Sequence, residues 1–274
     1  MTPSGKTHSP ARLLAVRRLS DSVFLQVYGQ AHIARGAKPG QFVQMQTSAG
    51  LDPFFRRPMS IFAAEPKQGT FSVVFAVVGK GTRRLALAKV GDELAVIGPL
   101  GNTFTLPRRC SHAILVAGGV GLPPLDFWAR HLLRTGGKKA KPEVTLLLGA
   151  RSDWERIKVS AARGIRRLWS TDDGSFGFRG TVVDLLKKLH TEERWPVEET
   201  AVYGCGPTPM LRALQEWVLA QGYRGQLSLE GLMPCGFGVC SGCVVSGRPE
   251  REGYERFVRV CYDGPVFEAG EVSL

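Results

Sequence analysis

Two patterns of hydrophobic and polar positions divide this chain. Between residues 12 and 97 apolar side chains alternate with polar ones, the period of half-buried strands. Leu13-Leu14-Ala15-Val16 and Val23-Phe24-Leu25-Gln26-Val27-Tyr28 read as a strand pair, turned at Leu19-Ser20-Asp21-Ser22. Gly40-Gln41-Phe42-Val43-Gln44-Met45-Gln46 alternates in the same way, and residues 71–78 and 93–97 continue the series. Gly69, Gly79, Gly81, Gly91 and Gly98 punctuate it. Short strands at this spacing predict a small antiparallel barrel ending near Pro107.

From Ser111 onward the pattern changes. Ala113-Ile114-Leu115-Val116-Ala117 is a continuous apolar run, as in a strand buried on both faces of a parallel sheet. Gly118-Gly119-Val120-Gly121 follows, and Leu122-Pro123-Pro124-Leu125 opens a helix to about residue 135, since prolines are tolerated in a first turn. Residues 144–149 and 201–204 predict two further strands. Thr181 caps a helix to about His190, and a last helix runs from Pro207 to Gln221 before Gly222. Alternating strands and helices predict an open α/β nucleotide-binding domain.

The tail follows neither pattern. Cys235-Gly236-Phe237-Gly238-Val239-Cys240-Ser241-Gly242-Cys243, with Cys261 after a loop, has the C-x4-C-x2-C…C spacing of plant-type 2Fe–2S sites. Its glycines let the backbone curl and turn N–H groups inward toward sulfur. A structural zinc site or a disulfide pair is the alternative, although neither needs a glycine-rich loop. The whole is a multidomain β and α/β chain: barrel over residues 1–107, α/β domain over 108–224, small cluster domain over 225–274.

Composition narrows the function. Of 274 residues 43% are hydrophobic, and no apolar run reaches the ~18 residues of a membrane span. The first ten residues are polar, so no signal peptide is expected, and six cysteines suit a reducing compartment, by default the cytoplasm. The net charge of +12 invites a nucleic-acid reading. Against it, residues 225–274 hold four Arg and seven Asp/Glu, a net −3 that leaves +15 scattered over the rest. No aromatic platform interleaves those cations, so no nucleic-acid partner is expected. The histidines at 8, 32, 112, 131 and 190 are dispersed, and no acid–base pair or oxyanion hole stands out.

Anion-binding turns are more informative. Gly119-x-Gly121-x-x-Pro124 departs from the dinucleotide fingerprint at its third position, yet sits where a helix start attracts a pyrophosphate. Tyr203-Gly204-Cys205-Gly206-Pro207 repeats the arrangement at another strand end, and two such turns on one sheet edge define a cleft. In the barrel, Arg56-Arg57-Pro58-Met59-Ser60-Ile61 could hold a phosphate and a planar ring, or be a surface basic pair at a strand end. Gly79-Lys80-Gly81-Thr82 offers a second anion-binding turn.

Together these residues resemble the ferredoxin-reductase-like flavoprotein superfamily and, within it, the electron-transfer subunits of dihydroorotate dehydrogenase B. The resemblance covers all but the first ten residues. It also draws on Gly98-Pro99-Leu100-Gly101-Asn102, Asp172-Asp173-Gly174-Ser175, and Arg259-Val260-Cys261-Tyr262-Asp263-Gly264-Pro265-Val266-Phe267. It implies FAD on the barrel, NAD on the α/β domain and a 2Fe–2S cluster in the tail. Arg57, Pro58, Met59 and Ser60 would meet the flavin, with Gly81 and Thr82 at its pyrophosphate. The strand at Val74-Phe75-Ala76 lacks the Arg that the family often places there; Arg83 or Arg84 is the substitute.

Gly118, Gly119, Gly121, Asp173, Gly174, Cys205, Gly206 and Pro207 would receive NAD. Cys205 would act as the catalytic contact beside the nicotinamide, or simply fill the strand end. Arg151 and Ser152 could accept a 2′-phosphate that Asp153 would repel, so NAD is expected over NADP. Cys235, Cys240, Cys243 and Cys261 would hold the cluster, flanked by an apolar collar of Met233, Phe237 and Val239. The implied partner is an FMN-containing dihydroorotate dehydrogenase catalytic subunit, two copies of each forming a heterotetramer. The loop before Cys261 looks long, with an exposed excursion at Arg248-Pro249-Glu250-Arg251-Glu252. Subunits of soluble hydrogenases, subunits of NADH-dependent ferredoxin:NADP oxidoreductases, and a non-catalytic redox sensor are the rivals.

Overall fold

In the computed structural model, which describes residues 7–48, 50–135, 141–159, 162–248 and 252–274, the alternating half of the chain closes on itself. β1 (Thr7–Arg18) and β2 (Val23–Gly29) form the first antiparallel pair. A short helix α1 (Ala31–Gly36) leads to β3 (Phe42–Met45), β4 (Arg57–Glu65) and β5 (Thr70–Ala76). α2 (Lys80–Leu87) and β6 (Glu93–Leu100) complete the unit, and the strands close a barrel in the order β1-β2-β5-β4-β3-β6. Inward positions fill it: Leu13, Tyr28, Val43, Met45, Met59, Ile61, Val73 and Phe75, with Leu85 of α2 closing one end. The Gly79–Thr82 stretch differs from the expected free turn. Gly79 is the N-cap of α2, and Thr82 Oγ1 accepts the Val78 and Gly79 N–H groups.

The second half forms a seven-stranded sheet. It uses β7 (His112–Gly118), α3 (Leu122–Thr135), β8 (Glu143–Ala150), β9 (Ile165–Thr171), β10 (Phe178–Arg179) and α4 (Val182–Glu193). β11 (Thr200–Cys205), α5 (Thr208–Ala220) and β12 (Arg224–Ser228) follow. The apolar run of β7 sends Ala113, Leu115 and Ala117 to one face under α3, and Ile114 and Val116 to the other under α4 and α5. Burial on both faces is why that strand is apolar throughout. Thr181 and Asp184 cap α4 reciprocally, and Pro207 stands at the N-cap of α5.

The tail adds a two-stranded ribbon, β13 (Val244–Ser246) with β14 (Phe257–Arg259), and then β15 (Val266–Glu268). β15 pairs antiparallel with β12, so the sheet order is β10-β9-β8-β7-β11-β12-β15 and the tail's end belongs to the sheet. The barrel also grips the tail. Asn102 donates from Nδ2 to Val266 O at 2.7 Å, accepts the Val266 N–H at 2.9 Å, and donates its own N–H to Gly264 O at 2.8 Å. Residues 249–251 of the expected excursion lie outside the described residues.

Candidate functional site

The four tail cysteines approach one another as two pairs. Cys243 Sγ lies 3.2 Å from Cys261 Sγ, both buried, while Cys235 pairs with the side chain of the exposed Cys240. Among the described residues no three such side chains gather in the geometry of a single metal ion. Two thiolate pairs are what a binuclear cluster takes, one pair on each iron. Gly236 and Gly238 have φ of 84° and 87°, which curls the loop around Cys235. Burial alone would raise the Cys235 thiol. The N–H groups of Cys240, Phe237 and Val239, together with the Cys240 side chain, outweigh it and bring the pKa down to about 6. The curled backbone therefore stabilises a thiolate at neutral pH. Burial first, then the adjacent Cys243, pushes Cys261 up to about 12. A positive iron centre would offset that penalty, so the donor set fits a thiolate-ligated cluster.

The barrel's outer face carries the second part of the site. Val43, Met45, Met59 and Ile61 point inward, so Phe42 and Gln44 of β3 and Pro58 and Ser60 of β4 share the outer face. Phe42 belongs to the same apolar core as Met233, Cys243 and Cys261 of the tail, whereas Val74 of β5 belongs to the core that holds Leu122 and Leu125 of α3. Pro58 and Ser60, half-exposed, form the strip between them. Arg57 points toward the α2 end of the barrel, where its Nη1 donates to the Phe55 carbonyl at 2.6 Å. A Cβ on Gly81 would fall 2.6 Å from Arg57 Nε, so the glycine at the helix start lets the guanidinium in. The structure thus brings Arg57, Gly81 and Thr82 together, with Ser60 three residues further along β4. Met59 and Phe75 face the barrel interior, leaving only their backbones to this face.

On the α/β sheet the two glycine turns meet. β7 and β11 run side by side, with Ala117 opposite Cys205, and a Cβ on Gly121 would overlap the Cys205 carbonyl. Gly118 and Gly121 therefore pack directly against Cys205, Gly206 and Pro207 at the carboxyl edge of the sheet, with Gly119 beside them. Cys205 is buried, and burial first, then the negative charge of Glu230, holds its thiol well above the usual range. The thiol therefore stays protonated at neutral pH and is a poor nucleophile. Asp173 and Gly174 lie at the end of β9, where Asp173 accepts the Ser175 N–H at 2.9 Å and its hydroxyl at 2.6 Å. Those hydrogen bonds depress the Asp173 pKa. At the end of β8, Arg151 is paired with Glu155, and Asp153 with Arg156.

The collar round the cysteines differs from expectation at one position. Met233 is buried in the core beneath the cluster loop, and its neighbour Leu232 is 84% exposed. Two functional features escaped the sequence reading. One is the Asn102 clamp on the tail; the other is Gln44, whose amide N–H donates to the Met233 carbonyl. Gln44 has no signal beyond ordinary polar alternation; Asn102 stands in the Gly98–Asn102 motif, but its pairing with Val266 does not follow from it.

Known proteins match this arrangement. A family model described as the iron–sulfur cluster binding domain of dihydroorotate dehydrogenase B matches residues 230–273. The dihydroorotate dehydrogenase B (NAD(+)) electron transfer subunit of Desulforamulus reducens is 37% identical over 96% of this chain and 97% of its own length. The subunit of the same name from Bacillus caldolyticus is 40% identical over 86% of this chain and 87% of its own. Among solved structures, a chain of an NADH-dependent reduced ferredoxin–NADP oxidoreductase superposes with a TM-score of 0.82. It is 29% identical and covers 97% of this chain and 91% of that one. A Neisseria gonorrhoeae ferredoxin NADP+ reductase with bound FAD and NADP shares the fold, with a TM-score of 0.63 at 18% identity over 80% of this chain and 92% of its own.

Proposed function

The chain belongs to the family of dihydroorotate dehydrogenase B electron-transfer subunits, and from that premise we propose that it carries electrons from a dihydroorotate-oxidising partner through a 2Fe–2S cluster and FAD to NAD+. One observation carries the reading. On β4 the Arg130 guanidinium of α3 holds the Phe62 carbonyl, on neighbouring β3 Gln44 holds the Met233 carbonyl of the cluster loop, and Pro58 and Ser60 of β4 lie half-exposed beside them. Strands lie ~4.8 Å apart, so a ring on the β4 strip would have the α/β cleft on one side and the cysteines on the other. NAD+ accepts a hydride, a 2Fe–2S cluster passes single electrons, and FAD supplies the conversion between them.

The chain's own residues bind and orient. Cys235, Cys240, Cys243 and Cys261 hold the cluster, and the loop N–H groups spread its negative charge. Pro58 and Ser60 receive the ring, while Arg57 and the α2 N-terminus receive phosphate. Gly118, Gly119, Gly121, Gly206 and Pro207 admit the dinucleotide, with Asp173 and Gly174 bounding the cleft. At the end of β8 the Glu155 and Asp153 carboxylates already hold Arg151 and Arg156, the cations a 2′-phosphate would need, which favours NAD over NADP.

The partner in this reading is an FMN-containing catalytic subunit in the cytoplasm, two copies of each chain forming the complex. No helix among the described residues is long and apolar enough to cross a membrane. The likeness to the ferredoxin–NADP oxidoreductase chain favours one rival, a subunit of such an enzyme. Mixing the purified chain with an FMN-containing dihydroorotate dehydrogenase catalytic subunit decides between them. Dihydroorotate should bleach the FAD of this subunit only when that partner is present; bleaching by reduced ferredoxin alone would favour the rival.

Two substitutions probe the strip and the cleft. Arg57→Ala should weaken FAD retention by about 1.5–3 kcal/mol, the range of a charge-assisted hydrogen bond. Full flavin occupancy after extensive dialysis would reduce Arg57 to a surface cation. Cys205→Ala should slow single-turnover flavin reduction by NADH while FAD and iron contents hold. An unchanged rate would leave Cys205 as filler of the strand end.

A further inference from the structure

Gln44 is a fully buried amide that the functions assigned above leave unused. It lies on β3, opposite Pro58 of the flavin strip, with its side chain on the shared outer face. Its Nε2 donates to the carbonyl of Met233, two residues before the first cluster cysteine. Gly236, one residue after that cysteine, packs so closely that a Cβ would overlap the Gln44 side chain. Its Oε1, however, is buried without a hydrogen-bond partner. Reversing the amide would set two oxygens against each other at Met233, so the orientation is fixed by that contact. A buried carbonyl oxygen without a donor is costly, and such atoms call for a partner.

We propose that Gln44 is a positioning residue that ties the flavin to the cluster loop. Its N–H holds the Met233 carbonyl, while Oε1 accepts a hydrogen bond from an N–H or O–H of FAD lying on Pro58 and Ser60. The proposal rests on the placement of FAD along β4. Directly opposed Cβ atoms on neighbouring strands stand about 4.5–5.5 Å apart, so Gln44 is the immediate neighbour of a flat ligand lying on Pro58. The donor belongs on the flavin side, because a flavin carries N–H and O–H groups and a cluster sulfide carries none. One amide then senses both cofactors, so each should influence the other's surroundings reciprocally.

The test uses the full chain prepared anaerobically. Gln44→Met keeps length and volume but removes both polar atoms. FAD should bind about tenfold more weakly, what one lost hydrogen bond gives, and the flavin absorption band should shift while iron content holds. Visible circular dichroism of the cluster should respond to FAD removal in the native protein and cease to do so in the variant. Native FAD affinity and an unshifted band in Gln44→Met would overturn the proposal, leaving a water as the partner of Oε1. Should that variant lose its iron, Gln44→Glu decides. Burial raises a carboxyl pKa, and the protonated side chain reproduces both contacts. FAD affinity should therefore recover as pH falls from about 8 to about 6; affinity that stays low throughout that range refutes the tie. If the native chain itself binds no FAD, the flavin placement fails and this proposal with it.

Discussion

Replacing Cys240 by serine should remove most of the iron–sulfur absorbance while the flavin band remains. The native chain should carry about two irons, as a thiolate-ligated 2Fe–2S cluster requires. Cys240 is the informative choice because it is the exposed member of the four. Its sulfur makes few packing contacts, so its loss reports on metal ligation and not on core packing. Cys261 would mix the two effects, being buried among Phe42, Met233 and Phe267. The flavin should survive because Arg57, Ser60 and the start of α2 belong to the barrel, whose six strands close without the tail. Iron and sulfide analysis with a visible spectrum checks the expectation. Stoichiometric zinc without iron in anaerobically prepared native protein would replace the cluster by a structural zinc site.

Much of the fold was legible because burial writes itself into period. β7 is buried on both faces and reads as an unbroken apolar run, while β2 alternates because one face lines the barrel. What stayed hidden broke those periods. β4 opens on Arg57-Pro58 and bulges between Ile61 and Ala63, so its alternation slips by one residue. β9 carries Arg166 and Arg167 in its interior, and Arg167 is tolerated there through its ion pair with the buried Asp126. α2 looked like a loop because Gly79 and Gly81 are poor helix formers. It forms because Thr82 caps its first turn and Leu85 anchors it in the barrel. β12 and β15 are too short to show a period and exist through their pairing with each other and with β11.

The site divides in the same way. Cysteine spacing and glycine turns are local, so they were readable; contacts that join segments far apart in the chain were not. Asn102 on Val266 and Gln44 on Met233 each span more than half the chain's length in sequence. Leu232 and Met233 are adjacent and chemically alike, and only the three-dimensional path of the loop decides which one is buried.

That path leads to the other large effect, at the partner surface. A cluster that hands electrons to another protein must lie near a docking face, and Cys240 is the exposed member of the four cysteines. In the cysteine-bearing segments Leu232, Phe237, Val239 and Tyr262 are exposed, Val239 at 76%. Exposed apolar side chains in the loops that carry a redox centre are what an interface would cover. The tail's net −3 against +15 elsewhere makes the molecule dipolar and would orient an approaching partner. Phe237→Asp places a carboxylate in the middle of the collar, where docking would strip its water without offering a counter-charge. Central aromatic positions in interfaces are typically worth about 2 kcal/mol or more, and a desolvated charge adds to that loss. The complex with the dehydrogenase should therefore come apart on size exclusion, and dihydroorotate should no longer reduce FAD. NADH:dye activity, which needs only the barrel and the α/β cleft, should persist. Co-elution of Phe237→Asp with the partner at native strength would move the docking face away from the cluster.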